Sequence, residues 1–279
     1  LNYFLLMAWT LYSDDPMWVP PLLLERRMHL SAKNPYFEHA KYCSWITYRN
    51  GIPVGRISAQ IDRLHIERYQ DATGFFGMLE AEDNPRTFQI LLDTAQNWLR
   101  MQGMQRICGP FNLSINEECG LLVEGFETPP SIMMGHARPW YGGHVESAGY
   151  RKATDLLAYD INPAFETPRI MQRLLDRETR HVQVRGLRRR QLKQELEILR
   201  DIFNDAWQAN WNFVPFTKEE FAAVGKELLL VVPHDFLQIA EIDREPAGFI
   251  VLLPDINSAI TDLNGRLFPV GWAKLLWAV

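Results

Sequence analysis

The chain has 279 residues, 47% apolar and 23% charged, with a net charge of -5. This is the composition of an ordinary globular protein long enough to build two cores. The acidic balance argues against a surface given over to nucleic acid or anionic membrane, and no apolar run reaches membrane-spanning length. The three cysteines, Cys43, Cys108 and Cys119, are odd in number and lack Cys-x-x-Cys spacing. They read as reduced thiols, so a cytoplasmic protein is expected.

In chain order, Phe4 to Tyr12 reads as a short helix ended by Ser13-Asp-Asp-Pro16, and Pro16, Pro20 and Pro21 force an extended segment. Leu22 to Leu30 reads as a second helix. Lys41 to Tyr48 and Ile52 to Asp62 form a hairpin with Asn50-Gly51 as its turn. Thr73 to Glu80 reads as a third strand. Pro85 then opens a helix capped by Asp83 or Asn84, with Phe88, Leu91, Leu92, Ala95, Trp98 and Leu99 at helical spacing and Gly103 at its stop. Arg106 to Pro110 is a short strand, and a loop follows to about Gly135. Pro139 to Ala148 is expected as a helix and Lys152 to Ile161 as a strand. Asn162-Pro163 and Thr167-Pro168 mark a linker. Beyond it, His181 to Leu187 reads as a strand, Arg189 to Trp207 as an amphipathic helix, and Thr217-x-x-Glu220 as a capping box. Asp235 to Pro254 is a second hairpin.

The two hairpins echo each other. Ile46, Pro53, Gly55 and Ile57 align with Ile239, Pro246, Gly248 and Ile250 at a constant shift of 193. Trp18-Val-Pro20 and Phe213-Val-Pro215 repeat upstream. A hairpin cannot bury its own apolar face, so each copy needs its own sheet and helices. The pattern predicts two domains of one kind. There is no initiator Met, and the last residues, Val270 to Val279, are largely apolar, so the chain is expected to be a piece of a longer one.

The element order and the X-Pro-X-Gly hairpins resemble the GNAT N-acetyltransferase fold. The segments Leu11-Tyr-Ser-Asp-Asp-Pro-Met-Trp-Val-Pro-Pro-Leu22, Gly74-Phe-Phe-Gly77, Gly120-Leu-Leu-Val-Glu-Gly-Phe126 and Asn210-Trp-Asn-Phe-Val-Pro215 look like a bacterial family of tandem-GNAT proteins of uncertain substrate. So do Pro254-Asp-Ile-Asn257 and Asn264-Gly-Arg-Leu-Phe-Pro269. The resemblance implies a mixed α/β architecture of two GNAT-like domains, each a central mixed sheet flanked by helices. The first would span 1–162, a linker 163–179, and the second 180–279, incomplete in this chain.

It also implies an acyltransferase with acetyl-CoA as donor and a small-molecule amine or amino-acid-like acceptor. The usual pyrophosphate loop, Arg/Gln-x-x-Gly-x-Gly/Ala before the third helix, is here Glu80-Ala-Glu-Asp-Asn-Pro-Arg-Thr-Phe88, without a glycine and with Arg86 as its local cation. The first domain is therefore expected to lack usual CoA binding, and the second to be the active copy. The Tyr placed four residues before the Gly-Phe or Gly-Tyr pair in many such enzymes is replaced by Val145; Tyr141, a turn further back, reads as a partly buried aromatic. Glu80 at a strand end is the candidate general base, and Asn112, after the fifth strand of the family fold, faces the cleft. Asn210, Trp211, Asp255 and Asn257 form a polar-aromatic set suited to an amine or amide pocket.

Competing expectations are aminoacyl transfer from a charged tRNA and a non-catalytic ligand-binding pair. The seven histidines show no metal-ligand spacing, dinucleotide and P-loop motifs are absent, and Arg188-Arg-Arg190 reads as a solvated face.

Overall fold

The computed structural model describes residues 1–162, 164, 166–178, 181–268 and 271–273. The protein is mixed α/β, with two sheets among the described residues. It divides into two compact units: Leu1–Lys152 with Asn210–Pro215 and the chain from Asp255 on, and Ala153–Ala209 with Phe216–Pro254. The cut does not follow the 162/180 boundaries expected from sequence. Segments 210–215 and 255 onward, assigned there to the second domain, cluster with the first unit.

The first unit opens with helices α1 (Asn2–Leu11) and α2 (Leu23–His29). Strands β1 (Ala40–Arg49) and β2 (Ile52–Asp62) then form the expected hairpin. Asn50 and Gly51 both have positive φ, the turn geometry that matches strand twist and that Asn-Gly adopts at little cost. A helix not foreseen, α3 (Arg63–Tyr69), follows at once, because the Asp62 carboxylate caps it by accepting from the Leu64 N–H. Strand β3 (Thr73–Ala81) pairs antiparallel with β2, and β4 (Arg106–Cys108) pairs parallel with β3. Between them runs α4 (Pro85–Met101), capped by the Asn84 side chain, which accepts from the N–H groups of Arg86 and Thr87. Helix α5 (Tyr141–Ser147) closes the set.

Alternation along the strands gives the sheet two covered faces. One face packs Ile57, Phe76, Leu79 and Ala81 against Phe88, Leu91, Leu92 and Ala95 of α4 and Tyr141 of α5. The other packs Met78 with Phe4, Leu5, Tyr36 and Leu113. Full burial of each large side chain contributes roughly 1.5–3 kcal/mol, so α4 is fixed chiefly by its apolar stripe.

In the second unit, helix α6 (Arg169–Glu178) stands within the stretch read as linker. Strand β5 (Val182–Gly186) precedes α7 (Leu192–Trp207) and α8 (Lys218–Leu228), the latter begun by the expected Thr217/Glu220 capping box. Strands β6 (Leu237–Ile242) and β7 (Glu245–Val251) complete an antiparallel sheet in the order β5-β6-β7. Leu187, Leu196, Leu199, Val232, Leu237 and Ile239 form its core. A short helix, α9 (Ile256–Ile260), belongs to the first unit.

The hairpin echo extends to geometry. In β1–β2 the register slips between Thr47 and Tyr48, where Gly55 and Pro53 are the partners and Val54 is the extra residue. In β6–β7 it slips between Ala240 and Glu241, opposite Gly248 and Pro246, with Ala247 extra. Every member of the two bulges is related by the same shift of 193. Lys152 to Ile161 is not the strand expected from sequence. Its residues join no ladder and are exposed, because apolar β-formers make a strand only where a sheet edge accepts their hydrogen bonds.

Candidate active site

The candidate site lies where β3 and β4 part. Gly77 pairs with Ser58 and Glu80 with Arg56, so Met78 and Leu79 together face Ile57. Met78 sits at φ 47, the left-handed region. The bulge turns β3 away from its neighbour. The last backbone bond across the pair is from the Phe111 N–H to the Phe76 carbonyl at 2.8 Å; beyond it the Met78 N–H donates instead to the Asn112 side-chain oxygen, also at 2.8 Å. Gly77 permits this approach, since a Cβ there would lie 1.8 Å from the Phe111 carbonyl oxygen.

Glu80 follows the bulge. Its side chain is 15% exposed, and Arg56 of β2 stands 3.6 Å from it. Arg56 is itself held by the Phe4 carbonyl at 2.6 Å and lies over the Phe4 ring. The Tyr141 hydroxyl donates to Glu80 at 3.3 Å while accepting from the Ala81 N–H at 2.9 Å. Tyr12, placed at the end of α1 on the face formed by Phe4, Leu5 and Ala8, donates to the Tyr141 oxygen at 3.4 Å. Burial lifts Glu80 above the ordinary carboxylate range, although Arg56 and the two phenols oppose that rise. Burial and the Glu80 charge raise Tyr12 and Tyr141 in turn. The arrangement holds a carboxylate whose proton affinity is tuned upward, between two phenols that stay protonated.

Tyr141 is the residue that sequence reasoning missed. Its offset from the Gly149-Tyr150 pair put it a turn too early, and only the path of the loop from 111 to 140 brings its hydroxyl to Glu80. The Ser-Asp-Asp segment after Tyr12 fixes the same corner. Asp15 pairs with His136 at 2.9 Å and Arg138 at 3.3 Å, Asp14 pairs with Arg138, and Arg138 lies over Tyr12.

On the other side of the bulge, the Asn112 amide donates to Glu118 at 3.0 Å. Glu118 pairs with Arg26 of α2, and Glu117 with His29. Burial raises the Glu118 carboxyl, but Arg26 and the Asn112 hydrogen bond outweigh it and hold it low. His29 is pulled down by burial yet ends raised, because Glu117 stabilises its cation.

Glu80 and Asn112 thus flank one bulge, Glu80 on β3 and Asn112 in the loop after β4. The other four predicted residues take separate places. The Trp211 ring meets Phe111 edge-on at 6.2 Å and is 43% exposed, and Asn210 beside it is exposed, its carbonyl accepting from the Phe213 N–H. Asp255 caps α9 through Ser258, and the Asn257 amide donates to the Pro130 carbonyl at 2.7 Å. These last two build the fold rather than line the Glu80 corner. At the N-terminus of α4, Asn84 already accepts from two N–H groups, Glu82 accepts from Thr87 and pairs with Arg49, and Asp83 pairs with His144. That end does not fit a pyrophosphate.

The fold and site define a mixed α/β protein of two units with a buried carboxylate–tyrosine centre at a bulged strand. The chain is 51% identical over 278 residues to protein YghO of Escherichia coli K12, covering 99% of this chain and 71% of that protein. It is 45% identical over 280 residues to the bacterial ceramide synthase of Caulobacter vibrioides, covering 99% of this chain and 73% of the relative. The chain belongs to the family that these two proteins represent. No family model matches it, and no solved structure does. No helix among the described residues is long and apolar enough to cross a membrane.

Proposed function

We propose that this chain carries out N-acyl transfer on a GNAT-like scaffold, joining an acyl group from a thioester to the amine of a long-chain acceptor. The observation that carries the reading is Glu80: a buried carboxylate of raised proton affinity, set beside a bulge where two strands part. An amine attacks only in its neutral form, so a base poised above the usual carboxylate range is what the step requires. Glu80 takes the ammonium proton while Tyr141 and Arg56 fix the carboxylate; the neutral amine forms the amide bond as the thioester C–S bond breaks, and the thiolate leaves with the second amine proton.

The acceptor class is supported by the relative named a bacterial ceramide synthase. A ceramide is the amide of a long-chain amino alcohol and a fatty acid, so forming one is an N-acylation. Acetyl-CoA, the donor implied by the resemblance to GNAT enzymes, finds no usual diphosphate seat at α4. In this reading the donor is an acyl thioester whose diphosphate does not sit at the N-terminus of α4.

The test is to incubate the purified chain with sphinganine and either acetyl- or palmitoyl-CoA and to look for the amide by mass spectrometry. Product that disappears in Glu80→Gln supports the reading. Undiminished product in that variant removes Glu80 as the base, and no amide with either thioester sinks the acyl-transfer reading.

A further inference from the structure

We infer that the first unit carries a second site, specific for a phosphate group, in the pocket between the end of α4, the start of β4 and the chain leaving α5. The pocket has a volume of about 280 Å³ and is lined by Gln96, Arg100, Gln105, Arg106, Tyr150 and Arg151 among others. Arg106 pairs with Thr73 at the opposite end of β3 from Glu80, seven residues away along the strand, or roughly 20 Å. This site is therefore separate from the candidate active site and does not rest on the acyl-transfer reading.

Three observations point to an anion. Three arginines from three different elements are among the residues that line one concavity, Arg106 with its side chain 74% exposed, in a protein whose net charge is -5. Gathering like charges in a concave surface is unfavourable unless something offsets it. The local acids do so only partly: Asp71 lies 3.8 Å from Arg106, and Asp93 acts on Tyr150. Arg100 bonds the neutral Asn97 oxygen, and Arg151 has no partner among the described residues. Finally, the Tyr150 ring packs edge-on against Phe76 at 5.5 Å, and its hydroxyl is buried without a hydrogen-bond partner. Burial and the Asp93 charge push that phenol up to about 12, so it remains a donor at neutral pH.

The donor set selects the ligand. One arginine satisfies a carboxylate with a bidentate pair, whereas three guanidinium groups, a phenol and two amides match the several oxygens of a phosphate. That phosphate belongs either to a free phosphate ester or to a phospholipid headgroup. Met101, 76% exposed beside Arg100, supplies the apolar neighbour that the second source would use.

The experiment is calorimetric titration of the full chain with inorganic phosphate, alongside co-sedimentation with phosphatidylcholine vesicles containing none or roughly a quarter phosphatidylglycerol. The test variant is Arg100→Gln/Arg106→Gln/Arg151→Gln, compared with Arg63→Gln/Arg189→Gln/Arg190→Gln, which removes the same charge from exposed positions elsewhere. The expected result is saturable phosphate binding that weakens at least about tenfold in the pocket variant and not in the control, with a smaller loss in Tyr150→Phe. Sedimentation with the anionic vesicles that follows the same pattern assigns the headgroup; phosphate binding without sedimentation assigns a free ester. Absence of binding to both probes, or equal loss in the two triple variants with unchanged melting temperatures, overturns the proposal.

Discussion

Glu80 is costly to keep ionised. Its carboxyl is raised in the folded protein, so the fold binds that proton more tightly than the unfolded chain does, and stability is lost as pH rises from the ordinary carboxylate value through the folded one. Replacing it with Gln keeps the shape and removes the charge. Glu80→Gln should abolish acyl transfer yet raise the melting temperature at about pH 8, with a smaller gain near pH 4 where both forms are neutral. Melting curves at the two pH values check the sign, and an equal shift at both would show that ionisation of Glu80 is not what the fold opposes. His29 is the opposite chemical type. Its raised value means that its pairing with Glu117 stabilises the fold below about pH 6.5 and fades as pH rises through the folded value. His29→Gln should flatten that part of the stability–pH curve. Tyr141→Phe keeps the ring against Phe88 but leaves the Ala81 N–H and Glu80 without the phenol. A drop in kcat of about tenfold or more, with the acid limb of the rate profile moved upward, is the result expected of a positioning donor.

Single elements show which parts of the structure are local and which are not. Asn84 caps α4 with its own side chain, and Asn84→Ala should cost about 1 kcal/mol in denaturant unfolding. Gly77→Ala should cost about 3 kcal/mol or more, since the new methyl meets the Phe111 carbonyl oxygen and pushes apart the strands that place Asn112. The α4 cap, the Asn50-Gly51 turn and the Thr217/Glu220 box were all legible in the sequence, because each is decided within four residues. Glu80 and Asn112 were legible as strand-end polar residues, but the bulge joining them was not: Met78 takes positive φ although nothing about Met asks for it. Tyr141 failed for the same reason, being 61 residues from Glu80 and dependent on a long irregular loop. The stretch 152–161 has strand-like composition, yet composition cannot say whether a sheet edge is there to receive it. α3 had a readable signal, Asp62 ahead of Leu64 and Ile66, that was hidden by its position directly after a strand.

On the scale of the whole chain, sequence order and compact units do not coincide. Asn210–Pro215 lies between α7 and α8, both of the second unit, yet clusters with the first. Its anchors are specific: Phe213 is 2% exposed, the Phe213 carbonyl accepts from the Tyr69 hydroxyl at 2.9 Å, and the Val214 carbonyl accepts from the Asn116 amide at 2.8 Å. The Arg68 guanidinium also lies over the Phe213 ring. Truncating a buried Phe of this kind costs about 3–5 kcal/mol. If stability were apportioned by sequence, that loss would fall on the sheet β5-β6-β7, whose strands flank the segment in the chain. The contacts assign it to the first unit instead. Hydrogen exchange followed by mass spectrometry on Phe213→Ala should therefore show faster exchange in α3, where Arg68 and Tyr69 lie, and in the loop around Asn116. Peptides from β6 and β7 should keep their protection. Loss of protection confined to β5, β6 and β7 would mean that residues 210–215 stabilise the unit that their sequence neighbours belong to. The same measurement bears on function, because Trp211 stands on this segment against Phe111, the residue before Asn112. A first unit loosened at Phe213 should lose acyl transfer together with that local protection, even while the second unit remains folded.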